Sequence, residues 1–239
     1  MRKHFEYRES ALTIEAPEPF LPIAERAVLD ARREIESFIA ADPFFQTTFE
    51  PYAARDGMAD VVRRMCLASE KANVGPMAAV AGAIAEQAVM RMTEEGCTHC
   101  IVDNGGDIAM CTSKNTTVGI YSGVEQTEGM ALDVPPSGGI LGICTSSGTI
   151  GPSISFGKAD VALVISRDVA LADACATRLG NLVVDDEEGT IERALHEVLG
   201  TKGVLGVLVM VNGRIGMAGR VPKLVRCDVP KERITKVQY

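Results

Sequence analysis

Two Asn-Gly pairs, Asn104-Gly105 and Asn212-Gly213, each stand between two short apolar runs, and they constrain the fold more than any other feature. Such a pair tolerates the positive φ angles of a tight hairpin turn, so each marks a pair of antiparallel strands. Cys100 to Asp103 and Asp107 to Met110 flank the first turn, with Gly106 completing it; Val204 to Val211 and Ile215 to Ala218 flank the second. Upstream of the first turn lie a short hairpin over 5–15, with Ala11 to Ile14 its better strand, and three helical patterns.

The first pattern places Ala24, Ala27, Val28, Ala31, Ile35 and Phe38 on one face between Phe20 and Ile39, and Asp42-Pro43 stops it. Residues 44–55 read as an irregular connection. Met58, Val61, Val62, Met65 and Ala68 mark a second helix. The third opens at Gly75-Pro76, with proline where its missing N–H costs nothing, and runs to Val89 with small residues on most sides. Upstream of the second turn, Ile140 to Cys144 and Val161 to Ile165 read as strands, and 168–182 and 188–199 as helices. The same order of events occurs twice, with the Asn-Gly turns 108 residues apart. The expectation is an α+β fold, an internal duplication with antiparallel sheets packed against helices, as a single domain over 1–239 with halves near 1–125 and 126–239. Strand pairs joined by tight turns argue against a doubly wound nucleotide fold, in which strand and helix alternate singly. Neither a GxGxxG nor a GxxxxGK[ST] loop is present.

With 24 basic against 32 acidic residues the chain carries −8, and no basic run offers the phosphate-binding face that nucleic acid requires. No stretch approaches the ~18–20 apolar residues of a membrane span. Seven cysteines, an odd number, sit in a chain with ample core material, a pattern of reduced thiols that points to the cytoplasm.

Three segments carry chemistry. Gly142-Ile143-Cys144-Thr145-Ser146-Ser147-Gly148-Thr149-Ile150-Gly151 follows an apolar strand with a run of small polar residues whose amides and hydroxyls suit a phosphate or carboxylate, or which form an ordinary Ser/Gly loop. In Leu171-Ala172-Asp173-Ala174-Cys175-Ala176-Thr177 the i, i+4 spacing puts the Asp173 carboxylate and the Thr177 hydroxyl on one helix face. Oxygens of this kind suit a hard divalent cation; equally, Asp173 caps a helix while Thr177 bonds back to a carbonyl. In Val102-Asp103-Asn104-Gly105-Gly106-Asp107-Ile108 two glycines let a ligand lie against the backbone, although a bare hairpin turn explains them too.

Taken in order, Asn104-Gly105-Gly106-Asp107-Ile108, Thr145-Ser146-Ser147-Gly148 and Ala172-Asp173-Ala174-Cys175-Ala176-Thr177 resemble the motif series of the ApbE-like superfamily. Its members bind FAD and Mg²⁺, and many transfer FMN onto a Ser/Thr of a target protein. Val74-Gly75-Pro76-Met77-Ala78-Ala79-Val80-Ala81-Gly82-Ala83 and Ser155-Phe156-Gly157-Lys158-Ala159-Asp160 resemble more narrowly a short cytoplasmic branch found in anaerobic bacteria and methanogens and linked to sulfide assimilation into homocysteine.

The resemblance implies a pair of T-fold-like units, Asp173 and Thr177 as Mg²⁺ ligands, and flavin or diphosphate contacts from Asn104, Gly105, Gly106, Asp107, Thr145, Ser146, Ser147, Gly148, Thr149, Gly75 and Met77. It further implies a small-molecule ligand, with a protein partner in a sulfur or redox pathway and a homodimer as open options. Transferase members carry a histidine after the Thr-Ser-Gly motif that serves as catalytic base, whereas 150–168 here contain none and the only histidines are His4, His99 and His196. That departure puts the transfer step in question and leaves ligand binding untouched. Cys97-x-x-Cys100 has redox or half-zinc spacing but no second pair, so buried thiols are expected there. Cys144, just before the polar loop, is either a buried thiol or a thiolate stabilised by the loop amides.

Overall fold

The computed structural model describes residues 1–7, 10–147 and 157–227. Eight strands form one antiparallel sheet: β1 (Arg2–Tyr7), β2 (Ser10–Glu15), β3 (Cys100–Asn104), β4 (Asp107–Cys111), then β7 (Leu141–Ser146), β8 (Val161–Ser166), β9 (Val204–Val211) and β10 (Arg214–Gly219). They lie side by side in that order, β4 pairing with β7 at the centre. Between β2 and β3 the chain forms α1 (Leu21–Ala41), α2 (Phe44–Thr47), α3 (Asp60–Ala72) and α4 (Val80–Glu94). Between β8 and β9 it forms α5 (Val169–Leu182) and α6 (Glu188–Leu199). Each half of the sheet is thus built as two strands, a helical excursion, and two more strands.

The sheet alternation sorts two apolar layers. Ala109, Cys144, Ala162, Val164, Val207 and Val209 face the helices, while Met110, Leu141, Ile143, Leu163, Leu208 and Met210 face the other side. The helix side is lined by small residues, which lets α5 approach closely: a Cβ on Gly142 would lie 3.0 Å from Val169 Cα. The far side is covered by a three-stranded sheet of β5 (Thr116–Gly119), β6 (Met130–Val134) and β11 (Lys223–Arg226), in the order β11-β6-β5.

This second sheet has no counterpart in the sequence reading. Its strands are four or five residues long, and only Val118, Ala131, Leu132 and Val134 in them are buried, too few for a periodic signal. Residues 44–47, read as irregular, form a short helical turn closed by Thr48 N bonding Phe44 O at 3.0 Å. The third helix begins later than read, because Pro76–Ala79 is a 3₁₀ turn and the α-helix proper starts at Val80. Among the described residues no helix is long and apolar enough to cross a membrane.

Candidate functional site

Gly105 and Gly106 make the tight β3–β4 turn with φ of 68° and 106°, and Asn104 pairs with Asp107 across its base. Asp103 has a local task, accepting a hydrogen bond from Gly106 N at 2.9 Å and so fastening the turn. Asn104 and Asp107 point to the helix side. Asn104 Nδ2 donates to Ala81 O at 3.1 Å, at the first turn of α4. Thr145 Oγ1 donates to Gly106 O at 3.1 Å, joining the end of β7 to the same turn.

Asp173 lies in the middle of α5, 8 % exposed, and its Oδ2 accepts from Gly82 N at 2.8 Å. Ala81 N donates to the same carboxylate. These are two of the amides that α4 leaves unpaired at its N-terminus, so a side chain from α5 caps α4. The crossing allows no side chain at position 82, where a Cβ would stand 2.7 Å from Val169 O and 2.8 Å from Asp173 Cβ. The capping is reciprocal. Glu86 of α4, 3 % exposed, accepts from Val169 N at 3.3 Å at the start of α5, where Ala170 N also reaches it.

Burial dominates the electrostatics. It raises the Asp173 carboxyl above the ordinary carboxylate range, against the two amides that favour the charged form. Asp107 is raised well above that range by burial and then by the charges of Asp173 and Asp103, with Thr145 N and the Cys144 thiol opposing. Its Oδ1 has no hydrogen-bond partner, and neither has Ser146 Oγ. Cys144 is fully buried, with its thiol donating to Val169 O at 3.6 Å, and burial together with Asp107 and Asp173 pushes it far up. Of the two alternatives for Cys144, the structure shows the buried thiol. Cys97 and Cys100 are buried as free thiols, and Cys97 Sγ donates to His99 O at 3.4 Å.

Glu86 is pushed up to about 7 by burial and by Asp168, with Arg64, 3.7 Å away, pulling the other way. A carboxyl that titrates near 4.5 unfolded and near 7 folded binds more protons in the native state between those values. Its contribution to stability is therefore full below pH 4.5, falls as pH rises, and levels off above about 7. Urea unfolding of Glu86→Gln should lack this component, so the stability difference between parent and variant should drift across that window. A difference constant from pH 4.5 to 7 would refute the assignment.

The structure brings Asn104, Asp107 and Asp173 into one region where α4 and α5 cross above the sheet, with Gly106 at the adjoining turn, whereas the Thr145 side chain lies on the other face of β7, in register with Leu163. Gly105 is exposed at the turn, Ser146 is buried, and Ser147 is half-buried just beyond β7. Thr177, half-buried, follows Asp173 by one helical turn. Gly75 and Met77 sit at the 3₁₀ turn leading into α4, and Gly75 has a packing reason of its own, since a Cβ there would lie 2.1 Å from Thr48 O. Gly148 and Thr149 lie outside the described residues, as does most of the 155–160 phrase. Sequence reasoning missed Glu86, although a lone carboxylate among Ala83, Ile84, Ala85 and Ala88 was a legible signal. His99 is at the opposite end of β3 from Asn104, roughly 17 Å along the strand. His4 and His196 are exposed, on β1 and α6. Two surface cavities, of about 570 and 620 Å³, lie against α1 and contain none of these residues.

A family model described as "AbpE bacteria" matches residues 1–215. The chain belongs to the ApbE-like superfamily. This ApbE-like chain is 48% identical over 239 residues to a UPF0280 protein of Methanocella arvoryzae, covering 99% of its own length and 96% of that protein. It is 43% identical over 238 residues to a UPF0280 protein of Archaeoglobus fulgidus, covering 98% and 99%. Among solved structures, the flavin transferase ApbE from Vibrio cholerae superposes with a TM-score of 0.57 at 11% identity, over 92% of this chain and 96% of that one. The ApbE protein from Thermotoga maritima gives 0.59 at 9% identity over 99% of each chain. At such identities the likeness is one of fold.

Proposed function

We propose that this ApbE-like protein binds a flavin dinucleotide or a related diphosphate-bearing small molecule with the help of Mg²⁺, in the cytoplasm, in anaerobic redox or sulfur metabolism such as sulfide assimilation into homocysteine. The observation that carries the proposal is the meeting of the Asn104–Asp107 turn and the Asp173 carboxylate at the N-terminus of α4, with Thr145 fastening the end of β7 to that turn. A glycine turn lets a ligand lie against the backbone, and the Asp173 carboxylate beside it suits a hard cation.

The donor set fits a hard cation. Asp173 and Thr177 supply oxygens one helical turn apart, and Mg²⁺ ordinarily takes one or two protein carboxylates with the rest of its shell from water and substrate phosphates. Among the described residues no group of three His, Cys, Asp or Glu is placed to hold a metal ion. When bound, Mg²⁺ neutralises diphosphate charge. We assign the flavin and diphosphate contacts to Asn104, Gly105, Gly106, Asp107, Thr145, Ser146, Ser147, Gly75 and Met77, together with Gly148 and Thr149, which lie outside the described residues. Architecturally we read the chain as one domain over 1–239, two T-fold-like units near 1–125 and 126–239 joined by duplication. A homodimer and a protein partner in the same pathway are compatible with this reading.

FMN transfer is the alternative. It needs a hydroxyl of the acceptor to lose its proton, and a positioned base contributes ~10²–10⁴-fold to such a step. No described histidine faces the site. We expect FAD to bind the purified chain at least about tenfold more tightly with Mg²⁺ than with chelator, and to leave no covalent FMN on a Ser/Thr acceptor peptide. Equal affinity with and without Mg²⁺, read by flavin fluorescence, would sink the binding proposal. Covalent flavin on the peptide, lost in Asp173→Ala, would establish the transferase instead.

A further inference from the structure

The Mg²⁺ reading leaves Asp107 unexplained as anything but a wall residue, yet its surroundings are unusual. It is 8 % exposed, and its polar neighbours are Thr145 N and the Cys144 thiol. Oδ1 has no hydrogen-bond partner among the described residues. A buried carboxyl oxygen without a partner forfeits its hydration for nothing, which a folded chain rarely tolerates unless a ligand completes the site.

The second observation is the company Asp107 keeps. The groups acting most strongly on it are two more carboxylates, Asp173 and Asp103, and those acting on Asp173 are backbone amides; no Lys, Arg or His is among them. Asp103 already fastens the turn through Gly106 N, and Asp173 spends one oxygen on the α4 amides. Among the described residues, two neighbouring buried carboxyls therefore have no cationic side chain acting on them, and Asp107 Oδ1 keeps free lone pairs. A hard divalent cation, which takes carboxylate oxygens and tolerates water in the rest of its shell, supplies what both lack.

We propose that Asp107 is a second carboxylate ligand, binding through Oδ1 a divalent cation that it shares with Asp173. The assignment rests on the metal reading above and extends it: the cation is bridged between β4 and α5, so it ties the β3–β4 turn to the helix that carries Asp173 and Thr177. The cation site is then formed by the protein before any diphosphate arrives.

The test uses the full chain, stripped by chelator dialysis, and Mn²⁺ alone, followed by loss of the free-ion paramagnetic resonance signal and by the rise of the unfolding midpoint with Mn²⁺. The parent should take up Mn²⁺ saturably. Asp107→Asn, which keeps the shape and the hydrogen-bonding capacity of the neutral acid, should bind it more weakly by at least the roughly 10–100-fold lost with an outer-shell partner. Its metal-free unfolding midpoint should be equal to or above the parent's, because a buried carboxyl pair has been broken up. Asp107→Ser provides the same measurement if the Asn variant does not fold. Parent-like Mn²⁺ affinity in a folded Asp107 variant, with binding lost in Asp173→Asn, overturns the second-ligand assignment and leaves the Asp173 reading intact. No Mn²⁺ uptake by the parent overturns the preformed cation site altogether, while the separate dependence of FAD binding on Mg²⁺ still decides the ligand reading.

Discussion

Asp173→Ala should abolish Mg²⁺-dependent binding of FAD and should also lower the stability of the ligand-free chain by about 1–3 kcal/mol. The two effects have separate origins. Binding is lost because the carboxylate that would hold the cation is gone. Stability is lost because Gly82 N, 2.8 Å from Asp173 Oδ2, and Ala81 N would be left buried without an acceptor. Relief of a buried carboxyl offsets part of that cost, which keeps the expected figure at the scale of a single helix cap. Asp173→Asn separates them. Its amide oxygen still accepts from the α4 amides, so most stability should return, while Mg²⁺-dependent binding should not. Urea unfolding alongside FAD titration reads both. An alanine variant as stable as the parent would show that the α4 amides find another acceptor, and the capping account would be wrong.

Gly82→Ala is expected to destabilise the fold by about 1–3 kcal/mol, although alanine is the better helix former by about 1 kcal/mol. The added methyl would meet Val169 O at 2.7 Å and Asp173 Cβ at 2.8 Å. The first contact is backbone and the second is the root of a side chain, so neither can swing aside. The helices must part, and parting lengthens the Gly82 N–Asp173 hydrogen bond. FAD binding should weaken together with stability, because the same crossing positions the site. An unchanged or raised unfolding midpoint in Gly82→Ala would contradict the close approach of α4 and α5.

Both experiments bear on a region only partly legible in the chain. The i, i+4 relation of Asp173 and Thr177 and the Gly105-Gly106 turn are local patterns, and local patterns survive translation into structure. The same holds for α1, α3, α6 and the antiparallel pairs β3–β4 and β9–β10, whose periodicity and turn residues depend on near neighbours alone. The short strands β5, β6 and β11 were not legible, because β6 pairs with β11 at a separation of some ninety residues and neither has a pattern of its own.

Nor could the sequence assign roles to the carboxylates flanking the first turn. Asp103 and Asp107 look equivalent as letters. Strand alternation sends Asp107 to the helix side, and the fold then buries it beside Asp173, sixty-six positions away (173 − 107 = 66), while Asp103 turns back onto its own loop.

The sequence by itself determined the antiparallel α+β class, the repeated order of elements and the family. Only the tertiary structure decided that Asp173 caps α4, that Glu86 caps α5 in return, that Cys144 is buried against Val169 O, and that Asp107 holds an oxygen without a partner among the described residues. The division has one physical cause. Helix periodicity and turn geometry are set by bonded and near-neighbour interactions, whereas desolvation and the sharing of a helix terminus arise only when distant segments exclude water from the same space.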